Sequence, residues 1–398
     1  MKILHTSDWH LGQSFMGQSR AEEHRKLIDW VTTVVSDQNI DAVILAGDVF
    51  DTSTPPSYAR ELYLELVLNL FKQDCTLIVV AGNHDSVSVL NESKELLAHI
   101  ETHVITQPSW DALEESIIPL KDSENQVRAV VCAVPFLRAR DMVNREAGQS
   151  MEAKQSQLAE RITEYYGKLF DHAKRQAGEL PVIGTGHLTV LGGQKTESVR
   201  DIYVGSLEAL APALLPDFDY LALGHIHKPM QVGGKKHWRY SGSPLPMSFD
   251  ESGSAKSVAI YDTQARDVSI LAIPSFRKLK SLSGTRKELL QQITDIEPSQ
   301  DLNSWLDLTL TEDANIGSFQ EQVSEILQDK PIEVLKVQRT RQHINLASPN
   351  GETATLEDVT PQEVFVQLLQ EKGVEEDRAK SLEVLFNNFV HQDPEASS

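Results

Sequence analysis

Apolar runs of strand length alternate with amphipathic stretches along the first 275 residues. Segments 40–51 ("IDAVILAGDVFD") and 75–86 ("CTLIVVAGNHDS") each carry a continuous apolar run and end in polar residues, as buried strands do. Residues 19–38 and 56–73 instead place apolar side chains at helical spacing. This alternation predicts a layered α/β domain whose strands are covered on both faces.

A different pattern follows residue 275. Residues 276–348 contain segments in the order strand–helix–strand–helix–strand, which predicts a small α+β domain. Residues 349–398 contain two amphipathic helices separated by Gly373, followed by a short end that we expect to be disordered. The sequence therefore predicts three parts: an α/β domain over 1–275, an α+β domain over 276–348 and a C-terminal helical pair over 349–398.

Composition narrows the class of protein. No window approaches the roughly 18 apolar residues of a membrane span, and the chain turns polar after four residues, unlike a signal peptide. The two cysteines, Cys75 and Cys132, do not form a metal-type pair, which fits a reducing cytosol. The net charge of −21 argues against a chain-wide basic surface for nucleic acid, and residues from 351 onward carry 11 Asp/Glu against 3 Lys/Arg. We expect a cytoplasmic protein without a membrane partner.

Polar residues of metal-binding type follow five of the predicted strands. Ligands of layered α/β folds bind at the carboxyl ends of strands, so these five loops are expected to converge. They are Asp8-Trp9-His10, Gly47-Asp48, Gly82-Asn83-His84-Asp85, Gly186-His187 and Gly224-His225-Ile226-His227.

The residue types in these loops suit divalent metal ions. Hard cations take carboxylate and amide oxygens, and Mn, Fe and Zn also accept imidazole. Residues two apart in an extended segment point the same way, so Asp8 with His10, and His225 with His227, can each address one site. Taken singly, each residue is more often a turn, a cap or a structural residue. The joint pattern favours a metal site.

The motifs D-x-H, G-D, G-N-H-D, G-H and G-H-x-H, in this order, resemble the calcineurin-like metallophosphoesterase superfamily over roughly the first 250 residues. The resemblance implies a layered β-sandwich flanked by helices, with a small α+β capping domain and the helical pair after it. It also implies two divalent metal ions, with Mn²⁺ as the expected metal. The alternative to catalysis, a scaffold that kept only the fold, is disfavoured because no ligand of the pattern is missing.

The same resemblance implies a role for each site residue. One metal would be held by Asp8, His10, Asp48 and His227. The other would be held by Asp48, Asn83, His187 and His225, with Asp48 bridging the two. His84 would not bind metal but would protonate the leaving oxygen of the phosphoester, and Asp85 would orient the His84 ring.

The text around the motifs, "ILHTSDWHLGQ", "DAVILAGDVFDTSTPPSYA" and "LIVVAGNHDS", is similar to the SbcD family, the nuclease subunits of bacterial SbcC–SbcD complexes. This similarity implies a 3′–5′ double-strand exonuclease and single-strand or hairpin endonuclease in DNA repair, recombination and replication, associated with the nucleoid. It implies that the tail helices bind an SbcC-type coiled-coil ATPase and that the chain is a homodimer within a heterotetramer. The alternatives are intramolecular packing of the tail, and a small-substrate phosphodiesterase or nucleotidase with the same metals.

Two further features leave alternatives open. The helix "ARELYLELVLNLF" is apolar on nearly all sides, so either a partner or the same chain covers its second face. Arg138 and Arg140 either meet phosphate near the site or belong to a solvated loop, and we expect the loop. The remaining histidines, among them His24 and His99, gain nothing from the pattern and are expected to be core or surface residues.

Overall fold

The computed structural model describes residues 1–143, 150–190, 209–297, 302–313 and 315–340, with a few helical residues between 365 and 386. The chain divides into two compact units, Met1–Arg339 and Thr340–Ser398. Among the helices of the described residues, none combines the length and apolar character that a membrane-spanning helix requires.

The first unit contains all the strands and the helices named below, in chain order. The strands are β1 Lys2–Thr6, β2 Ser14–Phe15, β3 Gln18–Ser19, β4 Ala42–Ala46, β5 Thr76–Val80, β6 Thr102–Ile105, β7 Ile117–Lys121, β8 Val127–Cys132, β9 Val182–His187, β10 Tyr220–Gly224, β11 Met230–Val232, β12 Lys235–Tyr240, β13 Ser257–Asp262, β14 Asp267–Ala272, β15 Leu279–Gly284, β16 Ser304–Leu310 and β17 Ile332–Arg339. The helices are α1 Ala21–Gln38, α2 Ser57–Phe71, α3 Val87–Asn91, α4 Lys94–Ala98, α5 Ala139–Met142, α6 Met151–Ala177, α7 Arg286–Thr294 and α8 Ile316–Leu327.

The first sheet has the strand order β14-β13-β1-β4-β5-β6, with β1, β4, β5 and β6 parallel. Alternate residues of its strands face opposite sides. Val43 and Leu45 of β4 belong to one core cluster with residues of α1 and α2, whereas Ile44 belongs to a different cluster. Burial on both faces explains why these strands are continuous apolar runs in the sequence.

The second sheet has the order β11-β12-β10-β9-β8-β7, and α6 packs on one of its faces. Its other face shares a core with the first sheet, since Val131 and Ile183 cluster with Ile44 and Ile78. The layers are therefore helices, sheet, sheet and helix. The predicted mixed α/β architecture is confirmed, and the order of the strands brings the ends of β1, β4 and β5 opposite those of β9 and β10.

A small three-stranded parallel sheet, β15-β16-β17, follows with α7 and α8 packed on one face. Its strands and helices alternate in the order that the sequence predicts. The expected boundary at 275 falls in the connection between β14 and β15, and the expected boundary at 348 lies outside the described residues. Most of the predicted C-terminal helical pair also lies outside them, although the rings of Phe365 and Phe386 stack with centroids 4.1 Å apart.

Candidate metal centre

The seven predicted metal ligands meet where the two large sheets present the carboxyl ends of their parallel strands. Asp8 and His10 follow β1, Asp48 follows β4, and Asn83 follows β5. His187 ends β9, and His225 and His227 follow β10. Six of them are buried, and Asn83 is half-buried. Two sheets thus contribute to one cluster from opposite sides, which satisfies the convergence expected from the sequence.

Asp48 lies at the middle of this cluster. Its Oδ2 is 3.2 Å from His187 Nε2 and 3.6 Å from His10 Nε2, and its Oδ1 accepts the His84 backbone N–H at 2.9 Å. Burial alone would raise the pKa of Asp48, but the His187 ring beside it, with His10 and His84, holds that pKa well below its usual range. A carboxylate that stays ionised between two imidazoles can bridge two cations.

One side of the cluster is formed by Asp8, His10 and His227, whose potential ligand atoms lie within 4.8 Å of one another. Asp8 is fixed by two hydrogen bonds, from the His225 backbone N–H at 2.9 Å and from the Ser7 hydroxyl at 2.5 Å. The carboxylate is therefore oriented before any ion binds.

The other side is formed by Asn83, His187 and His225. The Asn83 Oδ1 is 3.0 Å from His187 Nε2 and 3.1 Å from His225 Nδ1. His187 donates its Nδ1–H to the Ala46 carbonyl at 2.9 Å, which leaves Nε2 directed at the cluster. Burial alone would lower the pKa of His187, but the Asp48 carboxylate raises it to about 9.

The donor set fits divalent metal ions. His10 Nε2 is buried and has no hydrogen-bond partner among the described residues, although it faces the Asp48 carboxylate. Leaving a buried polar atom unsatisfied costs about 1–3 kcal/mol, which a cation between the two groups would remove. Carboxylate, amide and imidazole donors together suit Mn, Fe or Zn.

The backbone at the site is strained. Asp8, His10, Asp48 and His225 have φ angles of 54°, 46°, 49° and 94°, a region that is uncommon for L-residues, although Asp and His adopt it more often than most. Each such residue costs on the order of 1 kcal/mol or more and is retained only where its surroundings impose it. Four of them at one cluster indicate a functional constraint on the direction of these side chains.

Glycines allow the loops to approach one another. A Cβ on Gly82 would lie 2.1 Å from Asp48 Oδ1, and one on Gly47, whose φ is 90°, would lie 2.1 Å from His187 Nδ1. Neither side chain could stay in place beside a methyl group at that distance. The glycines of the G-D and G-N-H-D motifs are therefore required by the close packing of the ligands.

The predicted role of Asp85 is wrong. Its carboxylate accepts backbone N–H groups from Gly82, Val49 and Phe50, at 2.8, 3.2 and 2.9 Å, and is not bonded to the His84 ring. These three bonds form because the loops after β4 and β5 both direct amides at the Asp85 carboxylate. Asp85 fastens the two loops together instead of orienting His84.

His84 is oriented by a residue that the sequence did not single out. Its Nδ1 donates to the Asp51 carbonyl oxygen at 2.8 Å, and Asp51 Oδ1 lies 3.2 Å from His10 Nδ1. A carbonyl only accepts, so the proton of neutral His84 is on Nδ1. Asp51 follows Asp48 by three residues in "GDVFD", and this proximity was the available signal.

A second residue that the sequence did not single out, Glu251, lies beside His227. Glu251 Oε1 is 3.8 Å from His227 Nδ1, and Glu251 forms a buried ion pair with Lys256. Burial alone would raise the pKa of Glu251, but His227 and the Lys256 ammonium hold it well below its usual range. No motif marks Glu251, which lies 24 positions after His227 in the chain.

Arg138 and Arg140 have different exposure and different partners. Arg140 is exposed, as expected, and its Nε lies 3.6 Å from the Asp141 carboxylate, but it belongs to the short helix α5 and not to a loop. Arg138 is half-buried, and its guanidinium donates to the Asp85 carbonyl at 3.0 Å. Arg138 therefore supports the loop that carries His84.

Comparison with known proteins agrees with this geometry. The family model described as calcineurin-like phosphoesterase matches residues 1–229, and the model described as type 5 capsule protein repressor C-terminal domain matches residues 275–373. A β-glucosidase from Exiguobacterium marinum (9% identity, 85% of this chain and 88% of that chain) overlays with a TM-score of only 0.24, so its fold is not shared.

Relatives match over most or all of the chain. The SbcD subunit of the SbcCD nuclease of Escherichia coli (strain K12) is 39% identical over 98% of both chains. Its namesake from Bacillus subtilis (strain 168) is 32% identical over 78% of this chain and 79% of that one, and the one from Rhodobacter capsulatus is 33% identical over 66% of each. The chain therefore belongs to the SbcD family of calcineurin-like phosphoesterases.

Proposed function

We propose that this protein is the nuclease subunit of a bacterial complex that processes DNA ends, and that it hydrolyses DNA phosphodiesters with two bound divalent metal ions. The observation that carries the proposal is the single buried cluster in which Asp48 lies 3.2 Å and 3.6 Å from imidazoles of opposite sheets. The full-length similarity to nuclease subunits supports DNA as the substrate in preference to small phosphodiesters.

The ligands divide into two sets that share Asp48. Asp8, His10 and His227 complete one set, and Asn83, His187 and His225 complete the other. When bound, the metal pair supplies an activated water and positive charge beside the phosphate oxygens. The mixed oxygen and nitrogen donors suit Mn, Fe or Zn, and the resemblance to the nuclease family favours Mn²⁺ among them.

His84 acts on the leaving group. Its Nδ1 is held by the Asp51 carbonyl, so the other ring nitrogen, Nε2, is the one available to substrate. Protonated His84 gives the Nε2 proton to the departing oxygen, a step worth typically about 10²–10⁴ in rate. Asp85 and Arg138 support the loop from which His84 projects, as their hydrogen bonds indicate.

The assembly is proposed from the same family. An SbcC-type coiled-coil ATPase binds the C-terminal helices, the α+β domain orients DNA over the metals, and cleavage runs 3′ to 5′ on duplex ends. Two copies associate through α2, whose exposed residues Leu64, Leu68 and Phe71 form an apolar stripe. We place this complex in the cytoplasm, at the nucleoid.

The proposal is tested by cleavage assays with Mn²⁺ present and absent. A radiolabelled hairpin oligonucleotide and a chromogenic bis-phosphodiester are incubated with the purified chain, alone and with its ATPase partner. We expect metal-dependent opening of the hairpin. Rapid turnover of the small ester with the oligonucleotide left intact under both conditions would contradict the proposal and favour a small-substrate phosphodiesterase.

A further inference from the structure

Glu251 and Lys256 form a buried ion pair directly behind the predicted ligand His227. Lys256 Nζ is 2.6 Å from Glu251 Oε2 and also donates to the Ser243 hydroxyl at 2.9 Å and to the His227 carbonyl at 3.2 Å. The three hydrogens of the ammonium therefore have three acceptors, and one of these belongs to the ligand itself. Both charged side chains are more than nine-tenths buried.

The two oxygens of Glu251 have different partners. Oε2 accepts from Lys256 and from the Met247 backbone N–H at 3.0 Å. Oε1 is the oxygen that faces the His227 ring, 3.8 Å from Nδ1. The lysine and the amide thus fix the plane of the carboxylate, and the fixed carboxylate faces Nδ1, which leaves Nε2 of the imidazole to a metal ion.

Stability alone does not account for such a pair. Replacing a buried ion pair by apolar residues of similar volume is often neutral or stabilising, because the desolvation of two charges offsets their attraction. Histidines that bind metals usually donate the other ring N–H to a carboxylate or carbonyl, which fixes the tautomer and makes the ligand nitrogen more basic. At this cluster, His187 uses the Ala46 carbonyl for that purpose.

We propose that Glu251, held in place by Lys256, is a positioning residue for His227 and sets the affinity of the metal position formed by Asp8, His10 and His227. The inference rests on the metal centre of the proposed function and adds a residue pair to it. The second metal position, whose histidines are His187 and His225, does not depend on this carboxylate.

The experiment compares three variants of the full-length protein. Glu251→Gln keeps the shape of the side chain and removes its charge. The double variant Glu251→Gln/Lys256→Met removes both charges, so that no unpaired charge is left buried. Glu23→Gln is the matched control, because Glu23 is equally buried and pairs with Arg20 at 2.6 Å and with Arg277 at 3.0 Å without contacting a ligand.

Titration calorimetry and Mn²⁺ paramagnetic resonance give the stoichiometry and dissociation constants of Mn²⁺ for each variant. The melting temperature of the metal-free protein is measured as well. We expect wild type and Glu23→Gln to bind two ions alike. Both Glu251 variants should weaken one ion by about tenfold or more and leave the other unchanged. The double variant should melt above Glu251→Gln yet keep the weakened site.

Normal affinity for both ions in the double variant would overturn the inference, because the pair would then serve folding alone. Equal weakening by Glu23→Gln would overturn it as well, since any loss of a buried charge would have the same effect. If wild type itself bound no pair of ions, the proposed metal centre would fail. If wild type and both Glu251 variants bound two ions equally well, the inference alone would fail, so the two failures are distinguishable.

Discussion

At the scale of single residues, His84 is expected to affect catalysis without affecting metal binding. Its ring is held by the Asp51 carbonyl, and its proposed task is to protonate the leaving oxygen. We expect His84→Ala to lower kcat for DNA cleavage by about 10²–10⁴ while Mn²⁺ affinity stays within a few-fold of wild type. Single-turnover cleavage and Mn²⁺ titration measure the two quantities. Unchanged cleavage would contradict the assigned role, and His99→Ala, at an exposed position, is the control.

A buried histidine outside the centre gives the protein a pH-dependent stability. Burial lowers the pKa of His24 to about 3. Between about pH 6.5 and pH 3 the unfolded chain binds a proton at this histidine and the folded protein does not, so the free energy of unfolding falls as the pH is lowered. The slope from His24 approaches 1.4 kcal/mol per pH unit, by the order-of-magnitude linkage relation.

The measurement is urea unfolding of the metal-free protein at several pH values between 6 and 4. We expect His24→Leu to reduce the slope of the free energy of unfolding against pH by about 1 kcal/mol per unit. His99→Asn should leave the slope as it is in wild type, because this side chain is exposed. Equal slopes in wild type and His24→Leu would show that His24 titrates normally when folded.

The sequence was informative about residues that directly follow apolar strands. Asp8, Asp48 and His187 could be identified as candidate ligands because a polar side chain at the end of a buried strand is conspicuous. Glu251 could not, because only the fold brings it beside His227. The role assigned to Asp85 was wrong because amides of two different loops compete for its carboxylate, and spacing along the chain does not reveal that competition.

At the scale of elements, α2 has two apolar faces. Leu62, Leu66 and Leu70 are buried in the protein's own core, whereas Leu64 and Leu68 are 41% and 50% exposed. The described part of the chain therefore covers only one of the two faces that the sequence predicts. A second copy of α2 is the proposed cover for the other.

Charging the exposed face of α2 tests that proposal. We expect the variant Leu64→Glu/Leu68→Glu to be monomeric by light scattering where wild type is dimeric, because four carboxylates would be brought together at the interface. Folding should be unaffected, since both positions are exposed. Glu61→Gln, on the same helix and also exposed, is the control. A variant that stays dimeric would exclude this face as the contact.

Strands and helices could be predicted from the sequence where their apolar residues follow a clear pattern. The strands β1, β4 and β5 are apolar on both faces, and α6 has a regular apolar stripe. The strand β14 was not among the predicted strands. Most of its residues are exposed at the sheet edge, so its apolar residues do not follow the pattern of a buried strand. The order of strands in the two sheets depends on long-range pairing that no local pattern encodes.

At the scale of the whole molecule, the net negative charge disfavours DNA binding by the chain alone, and partner binding is assigned to the tail. A net charge of −21 is unfavourable for phosphate contacts, so the chain alone is expected to bind duplex DNA weakly. We expect the full chain to co-purify with its coiled-coil ATPase, and a chain truncated after residue 355 to lose that partner while retaining Mn²⁺ binding. Co-purification of the truncated chain would contradict the assignment of the tail as the docking segment.

The proposed chemistry requires that folding bring side chains from five strand ends into one pocket that holds a pair of cations. An anomalous difference map, from crystals soaked in Mn²⁺ and recorded near the manganese absorption edge, would show such a pair. We expect two adjacent peaks, one beside Asp8, His10 and His227 and one beside Asn83, His187 and His225, with Asp48 touching both. A map without paired peaks among these residues at saturating Mn²⁺ would refute the two-metal centre.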